Sequence, residues 1–148
     1  MIVSATRMLP APPDQVWARL VRWEEQPRWM VDAAAVRVLS PRREGPGVRL
    51  AVRTRILGVP LLTDVLEVVV WDPPRRLRIA HTGIVRGRGE WRLDDMGERT
   101  RFTWAEQLTV PVPVIGELMS RVYRPVMRRM MAASLGRFAA HVGLPPPP

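Results

Sequence analysis

Cysteine is absent from this chain of 148 residues. That excludes a disulfide framework, a thiolate nucleophile and any Cys-based metal centre. Lysine is absent too, so all 23 basic residues are arginine, and only 14 acidic residues oppose them, for a formal net charge of +9. Exclusive use of Arg reads as a coding bias toward GC-rich codons, of the kind met in high-GC bacteria. No apolar run approaches the ~20 residues of a membrane span. The N-terminus, Met1-Ile2-Val3-Ser4-Ala5-Thr6-Arg7, lacks the basic flank and apolar core of a signal peptide. These absences lead to the expectation of a soluble, cytoplasmic protein, a monomer or homodimer. There is also no P-loop, no dinucleotide-binding Gly motif and no His-Glu-x-x-His. His81 and His141 are the only histidines, too few for the three or four ligands a metal centre usually takes. No metal and no cofactor is expected. A basic balance can signal nucleic acid or an anionic membrane. Here the arginines are spread over most of the chain rather than gathered in one block, which argues against nucleic acid and leaves weak contact with an anionic membrane open.

The chain does hold a long amphipathic segment at its end, Val114 to Val142. Ile115, Met119, Val122, Tyr123, Val126, Met127, Met130, Met131, Ser134 and Phe138 recur at helical spacings, which puts them on one side of a helix. Methionines make that side adaptable. Pro125 lies within it and predicts a bend. Such a helix must lay its apolar side on something, and a soft helix over a concave sheet builds an apolar pocket; a Met-filled solid core is the alternative.

Met1 to Leu9 reads as a strand. Pro12, Pro13 and Asp14 mark a helix start with Asp14 as the cap, and a second short helix containing Trp29 and Met30 is predicted to begin at Pro27. From Ala34 the apolar period changes to two. Val36 and Val38 come first, then Val48, Leu50, Val52, Thr54 and Ile56, then Leu62 to Val70 in steps of two. Leu77, Ile79 and His81 follow, then Val85 to Leu93, and last Phe102, Trp104, Glu106 and Leu108. Short turns join these runs, so they predict an antiparallel meander with one face on the core and one in water. Arg49, Arg53, Arg55, Arg78, Arg86, Arg88, Arg92 and Arg101 fall on the water side, with Glu67 and Glu90 among them.

The order of elements resembles the START-like (SRPBCC) superfamily. Ala11-Pro12-Pro13-Asp14-Gln15-Val16-Trp17 is similar to that family's first-helix start, and Trp71-Asp72-Pro73-Pro74-Arg75-Arg76-Leu77 to its strand-turn-strand element. Gly89-Glu90-Trp91-Arg92-Leu93 with Gly97-Glu98-Arg99-Thr100-Arg101-Phe102-Thr103-Trp104 is similar to its last hairpin. The sub-group resembled is that of small bacterial polyketide cyclase/dehydrase-like and lipid-transport-like proteins. The resemblance implies an α+β helix-grip fold: a seven-stranded curved antiparallel sheet around a long C-terminal helix, with two short helices after the first strand. It implies one domain over 1–143, followed by a Pro-rich tail at 144–148. It also implies a hydrophobic or amphipathic guest, such as a lipid, polyketide or quinone, held between sheet and helix.

The residues expected to line that pocket are Trp29, Val52, Leu66, Ile79, His81, Trp91, Trp104, Glu106, Val122, Tyr123, Val126 and Met130. Polar groups on an apolar face are costly unless paired, hydrated or used, so His81 and Glu106 either orient a guest or sit at strand ends in water. Asp64, close to the Pro60 turn, is read as a strand-end carboxylate in water. If the protein is instead a cyclase or dehydratase, His81, Glu106 and Tyr123 are the candidate acid–base groups.

Overall fold

The computed structural model describes residues 1–109 and 113–143, without the side chains of 113–116 and 119. The tail expected at 144–148, and the side chains of Ile115 and Met119 in the terminal stripe, lie outside the described residues.

Strand β1 (Ile2–Leu9) leads into α1 (Pro13–Leu20) and a 3-10 helix (Trp23–Arg28). Six strands follow, β2 (Ala33–Val38), β3 (Arg49–Ile56), β4 (Val59–Asp72), β5 (Arg76–Thr82), β6 (Arg86–Asp95) and β7 (Thr100–Thr109), then helix α2 (Pro113–Val142). The sheet order is β1-β7-β6-β5-β4-β3-β2, and every pairing is antiparallel. The sheet curls into a half-barrel around α2, which is the expected helix-grip fold.

The two short helices differ in detail from the expectation. Pro12, not Asp14, caps α1, and no side chain bonds the free N–H groups there; Asp14 instead puts its negative charge in the first turn, where the helix dipole favours it. Pro27 lies inside the 3-10 helix rather than at the start of a new one. Helix α2 is continuous through Pro125.

The core lies where α1, the 3-10 helix and the C-terminal half of α2 meet the sheet. Met131, Leu135 and Phe138 of α2 are buried with Leu9, Leu20, Leu50 and Phe102. Trp29 packs edge-on against Phe138 with centroids 4.8 Å apart, and also touches Trp91 and Trp104. A second aromatic group joins Trp17 and Trp23 to Trp71. Trp71 reaches inward because a bulge between Val68 and Val70 shifts the β4–β5 register. The period-two reading of Val70 as inward therefore fails beyond Val68, since one extra residue flips every later side chain. Polar ties fix α2 over this core. The Val31 N–H donates to Ser134 Oγ at 3.0 Å, and Ser134 Oγ–H donates to the Met130 carbonyl at 2.8 Å. His141 Nε2 lies 3.2 Å from Glu25 Oε2.

On the outer face, Arg49, Arg53, Arg86, Arg88, Arg92 and Arg101 are exposed as expected. Arg78 and Arg55 are half-buried and depart from that expectation. Arg78 faces Glu90 across the β5–β6 pair, with Nη2 2.7 Å from Oε2. Arg55 lies at a register irregularity of β3 and donates to the Ala33 carbonyl at 3.1 Å.

Candidate ligand-binding site

A cavity of about 140 Å³ lies between the curled sheet, the 3-10 helix and α2. That is far more than the ~10–15 Å³ needed for one water, and close to the ~150 Å³ at which an apolar cavity takes up a benzene-sized molecule. The walls are built by period two. Val52 and Leu50 come from β3, Leu66 from β4, Leu77 and Ile79 from β5, Trp91 from β6, and Trp104 from β7. Helix α2 contributes Tyr123, Met127 and Met130.

The expected wall residues Val52, Leu66, Ile79, His81, Trp91, Trp104, Glu106, Tyr123 and Met130 therefore come together. Three others do not. Val122 and Val126 are 65% and 40% exposed, on the outer side of α2. Tyr123, Met127, Met130, Ser134 and Phe138 face the sheet, and a residue one position before such a stripe is turned by about 100° from it. Trp29 is fully buried in the core, not at a pocket mouth, because it ends the 3-10 helix beneath Phe138.

One wall is polar. Asp64, His81 and Glu106 lie in a row across β4, β5 and β7, and all three line the cavity. His81 Nδ1 is 2.6 Å from Asp64 Oδ2, and His81 Nε2 is 3.0 Å from Glu106 Oε2. The second Glu106 oxygen accepts a bond from Trp104 Nε1–H at 2.8 Å. The row fits because β6 carries Gly89 opposite Glu106. A Cβ at Gly89 would stand 2.7 Å from Glu106 Oε1 and 2.9 Å from Oε2, closer than such atoms approach. The glycine therefore makes room for the carboxylate to lie over the sheet and reach His81.

Burial opposes a charge on His81, but the hydrogen bonds and negative charges of Asp64 and Glu106 outweigh it and push the imidazole pKa up to about 9. At neutral pH it is an imidazolium donating from both nitrogens. Asp64 is 9% exposed, and its Oδ1 is buried without a partner. The strand-end reading of Asp64 is thus corrected. It stands opposite Val52 across the β3–β4 pair, one step inside Leu62, and shares the inward phase of Leu62 and Leu66.

A third carboxyl, Asp32, escaped the sequence reading. It precedes β2, where no period marks it as inward, yet it lines the same cavity. Its backbone is pinned from both sides, since the Arg55 N–H donates to its carbonyl at 2.7 Å and the preceding residue bonds Ser134. Its Oδ1 is also buried without a partner. Burial raises the Asp32 pKa; its own backbone hydrogen bond and Arg55 oppose this, while Glu106 and Asp64 add to it, giving about 6. Burial first, and then the charge of Asp32, raises the Tyr123 phenol as well, so this side chain is a neutral O–H donor at pH 7.

The model of the polyketide cyclase / dehydrase and lipid transport family matches residues 1–143. The chain belongs to that family. Among solved structures, this family member is similar to a protein of Thermus thermophilus at 23% identity and TM-score 0.80, with 96% of this chain and 97% of that one covered. It is similar to the ZhuI aromatase/cyclase of Streptomyces sp. R1128 at 19% identity and TM-score 0.73, over 96% and 93% of the two chains. A START superfamily protein of Mycobacterium smegmatis matches at 16% identity and TM-score 0.62, over 94% and 92%. At these identities the likeness is one of fold. No curated protein matches the chain in sequence. Among the described residues, no helix is long and apolar enough to cross a membrane.

Proposed function

We propose that this family member binds a hydrophobic or amphipathic small molecule in the cavity between the sheet and α2. The observation that carries this reading is the cavity itself, walled by aliphatic, Trp and Met side chains, with its polar groups confined to a few positions. Small-molecule sites are built this way: apolar area supplies the affinity and a few polar groups set the orientation. Each Å² of apolar guest surface removed from water contributes about 25 cal/mol. At about 140 Å³ the cavity suits a single-ring guest, below the ~300–1,000 Å³ typical of drug-sized ligands. Met127 and Met130 form part of its helical wall, and unbranched thioethers repack readily around a larger guest. Native mass spectrometry of the purified protein tests the reading. A retained hydrophobic mass supports it, and failure to retain or take up any apolar compound overturns it.

The Asp64–His81–Glu106 row motivates a second reading, acid–base catalysis of cyclisation or dehydration. Its geometry favours binding over catalysis. Both His81 nitrogens are engaged by carboxylates, so the ring has no lone pair with which to take a proton and no free N–H to give. Catalysis by His81 requires one carboxylate to release it. Turnover of a polyketide-like substrate that falls about 10²-fold or more in His81→Ala, with binding unchanged, would establish the enzyme and displace the binder.

A further inference from the structure

Among the described residues, every large apolar side chain that is more than half exposed lies at one end of the molecule. Leu57, Val59 and Leu61 belong to the β3–β4 hairpin, Ile84 to the β5–β6 turn, Ile2 to the start of β1, and Leu118 and Val122 to the first half of α2. The registers place these segments together. His81 stands opposite both Leu66 and Gly87, so the turns that follow β3 and β5 point the same way. Gly87 pairs with Leu108, and Ile2 with Gln107, so β7 finishes and β1 begins at that end. Helix α2 follows β7 and runs toward the other end, where Gly136 lies beside Arg7. The cavity reaches the same end, since Ile56, Leu62, Val85 and Tyr123 line it next in the chain to Leu57, Leu61, Ile84 and Val122. The β3–β4 hairpin projects past the β5–β6 turn, because its pairing continues to Ile56 and Val59 while that of β4 with β5 stops at Leu66. Its tip breaks two local rules at once. Leu57 and Gly58 are the central residues of the turn, both with positive φ, 51° and 84°. That is the signature of a type I′ hairpin, in which Asn-Gly is the favoured pair. Leucine gains nothing from a left-handed backbone, and at 81% exposure Leu57 buries little against its own chain. A residue that serves neither the turn nor the core points to a contact outside the chain.

Arginines border this apolar end. Arg53 donates to the Pro60 carbonyl beside Leu61, and exposed Arg86 follows Ile84 by two positions. On α2, Leu118, Val122 and Val126 recur every four residues along the outer side, with Arg121, Arg128 and Arg129 exposed beside them. Glu117 is the only acid in the sequence of α2, and it already pairs with Arg121 at 3.3 Å. We infer that this end docks on an anionic lipid bilayer, with Leu57, Ile84 and the outer side of α2 entering the headgroup–acyl boundary and the bordering arginines on lipid phosphates. An apolar edge with basic residues beside it is the pattern of interfacial binding: apolar area anchors, and cations hold the anionic headgroups. Arginine suits this place because its stem stays with the apolar layer while the guanidinium reaches phosphate. A second copy of the chain is the other occupant such a face could take, and charge argues against it. A symmetric contact sets the same patch against itself, and with it the same arginines, between two chains of formal net charge +9. An anionic surface neutralises that charge. The inference goes beyond the binding function and does not depend on the cavity's guest, although docking here turns the cavity's end toward the lipid.

The chain has no cysteine, so a single introduced thiol can carry a label at a chosen place. Leu57→Cys, and Met96→Cys in the β6–β7 turn at the opposite end, are each labelled with nitrobenzoxadiazole. Both meet vesicles of phosphatidylcholine, alone or mixed with phosphatidylglycerol, at about 0.05 M salt. The label at position 57 should shift to the blue with the anionic vesicles only, and the label at position 96 should not change. In unlabelled protein, Leu57→Asn combined with Ile84→Asn should weaken co-sedimentation with anionic vesicles about tenfold or more. Asn accepts a positive φ, so Leu57→Asn should melt no earlier than the parent, which separates lost docking from lost folding. Unchanged co-sedimentation of the double variant, or equal shifts of the two labels, would overturn the inference and leave any attachment to the Arg-rich sheet face. Equal binding to phosphatidylcholine alone would overturn it too, since the arginines would then have no part. A dimer in sedimentation velocity that Leu57→Asn dissociates, with no vesicle binding, would overturn it in favour of a second copy.

Discussion

The two faces of one sheet treat charge in opposite ways. On the outer face, Arg49, Arg53, Arg86, Arg88, Arg92 and Arg101 stand exposed, and the Arg78–Glu90 pair at 2.7 Å is partly in water. Water screens that face, and individual ion pairs there contribute little, roughly 0–1 kcal/mol. On the inner face a few charged groups, Asp64, His81, Glu106 and Asp32, stand among aliphatic and Trp side chains. There burial and close contacts move the pKa values of His81 and Asp32, and each missing partner has a cost. The surplus of arginine, conspicuous in the sequence, therefore says less about function than three residues on the other side of the same strands and Asp32 beside them. Position in the pleat, odd or even, decides which regime a residue enters.

The comparison breaks most clearly by removing one charge from each side. Glu106→Ala strips acceptors from His81 and Trp104 and should destabilise the fold by about 3–5 kcal/mol, the usual effect of breaking a buried pair. Arg53→Ala, whose guanidinium bonds Pro60 and Thr63 from the surface, should cost less than about 1 kcal/mol. Urea denaturation of the two variants checks this, and equal losses would erase the distinction between the faces.

Titration sharpens it next. The folded His81 holds its proton to about pH 9, whereas in the unfolded chain it releases it near 6.5. The native state then binds more protons, so stability is fully present below about pH 6.5 and declines as pH rises to about 9, by on the order of 3 kcal/mol. Asp32, raised from 3.8 to about 6, adds a loss of the same sign between those values. Asp32→Asn should remove that lower step and raise stability at pH 7 by up to about 3 kcal/mol. A melting temperature that climbs from pH 6.5 to 9 would contradict the charged His81.

Gly89→Ala comes third. Its Cβ would displace the Glu106 carboxylate with only a modest cost in stability, about 1–2 kcal/mol. The His81 titration midpoint, followed by NMR, should fall from about 9 toward 6.5 by at least a unit. An unmoved midpoint would show that the carboxylate finds another path over the strand.

The smallest effect belongs to the outer face as a whole. We propose that it attaches weakly to anionic vesicles at about 0.05 M salt and largely detaches at about 0.5 M, as screening shortens the reach of the arginines. Co-sedimentation decides it. Absence of binding at low salt would leave the arginines as a solubility feature.

How much of this was legible in the sequence follows from the periods involved. Strand alternation placed Val52, Leu66, Ile79, His81, Trp91, Trp104 and Glu106 on one inward face without a structure, because a period of two leaves only two choices and one buried face selects between them. It failed at Val70, where the bulge before it inserts a residue. The helix was harder. A stripe of apolar residues spans more than 100°, and both Val122–Val126 and Met127–Met130 fit within it. Only contact with the sheet chose Met127 and Met130 for the cavity and turned Val122 and Val126 outward. The sequence by itself thus determined the fold, the absence of cysteine chemistry and the inward strand residues, since these depend on composition and local period. The tertiary structure alone decided that Trp29 is core, that Asp64 reaches His81, and that Asp32 joins the same cavity from outside the strands' alternation. Those depend on which elements curl together, and residues at element ends carry no period to announce it.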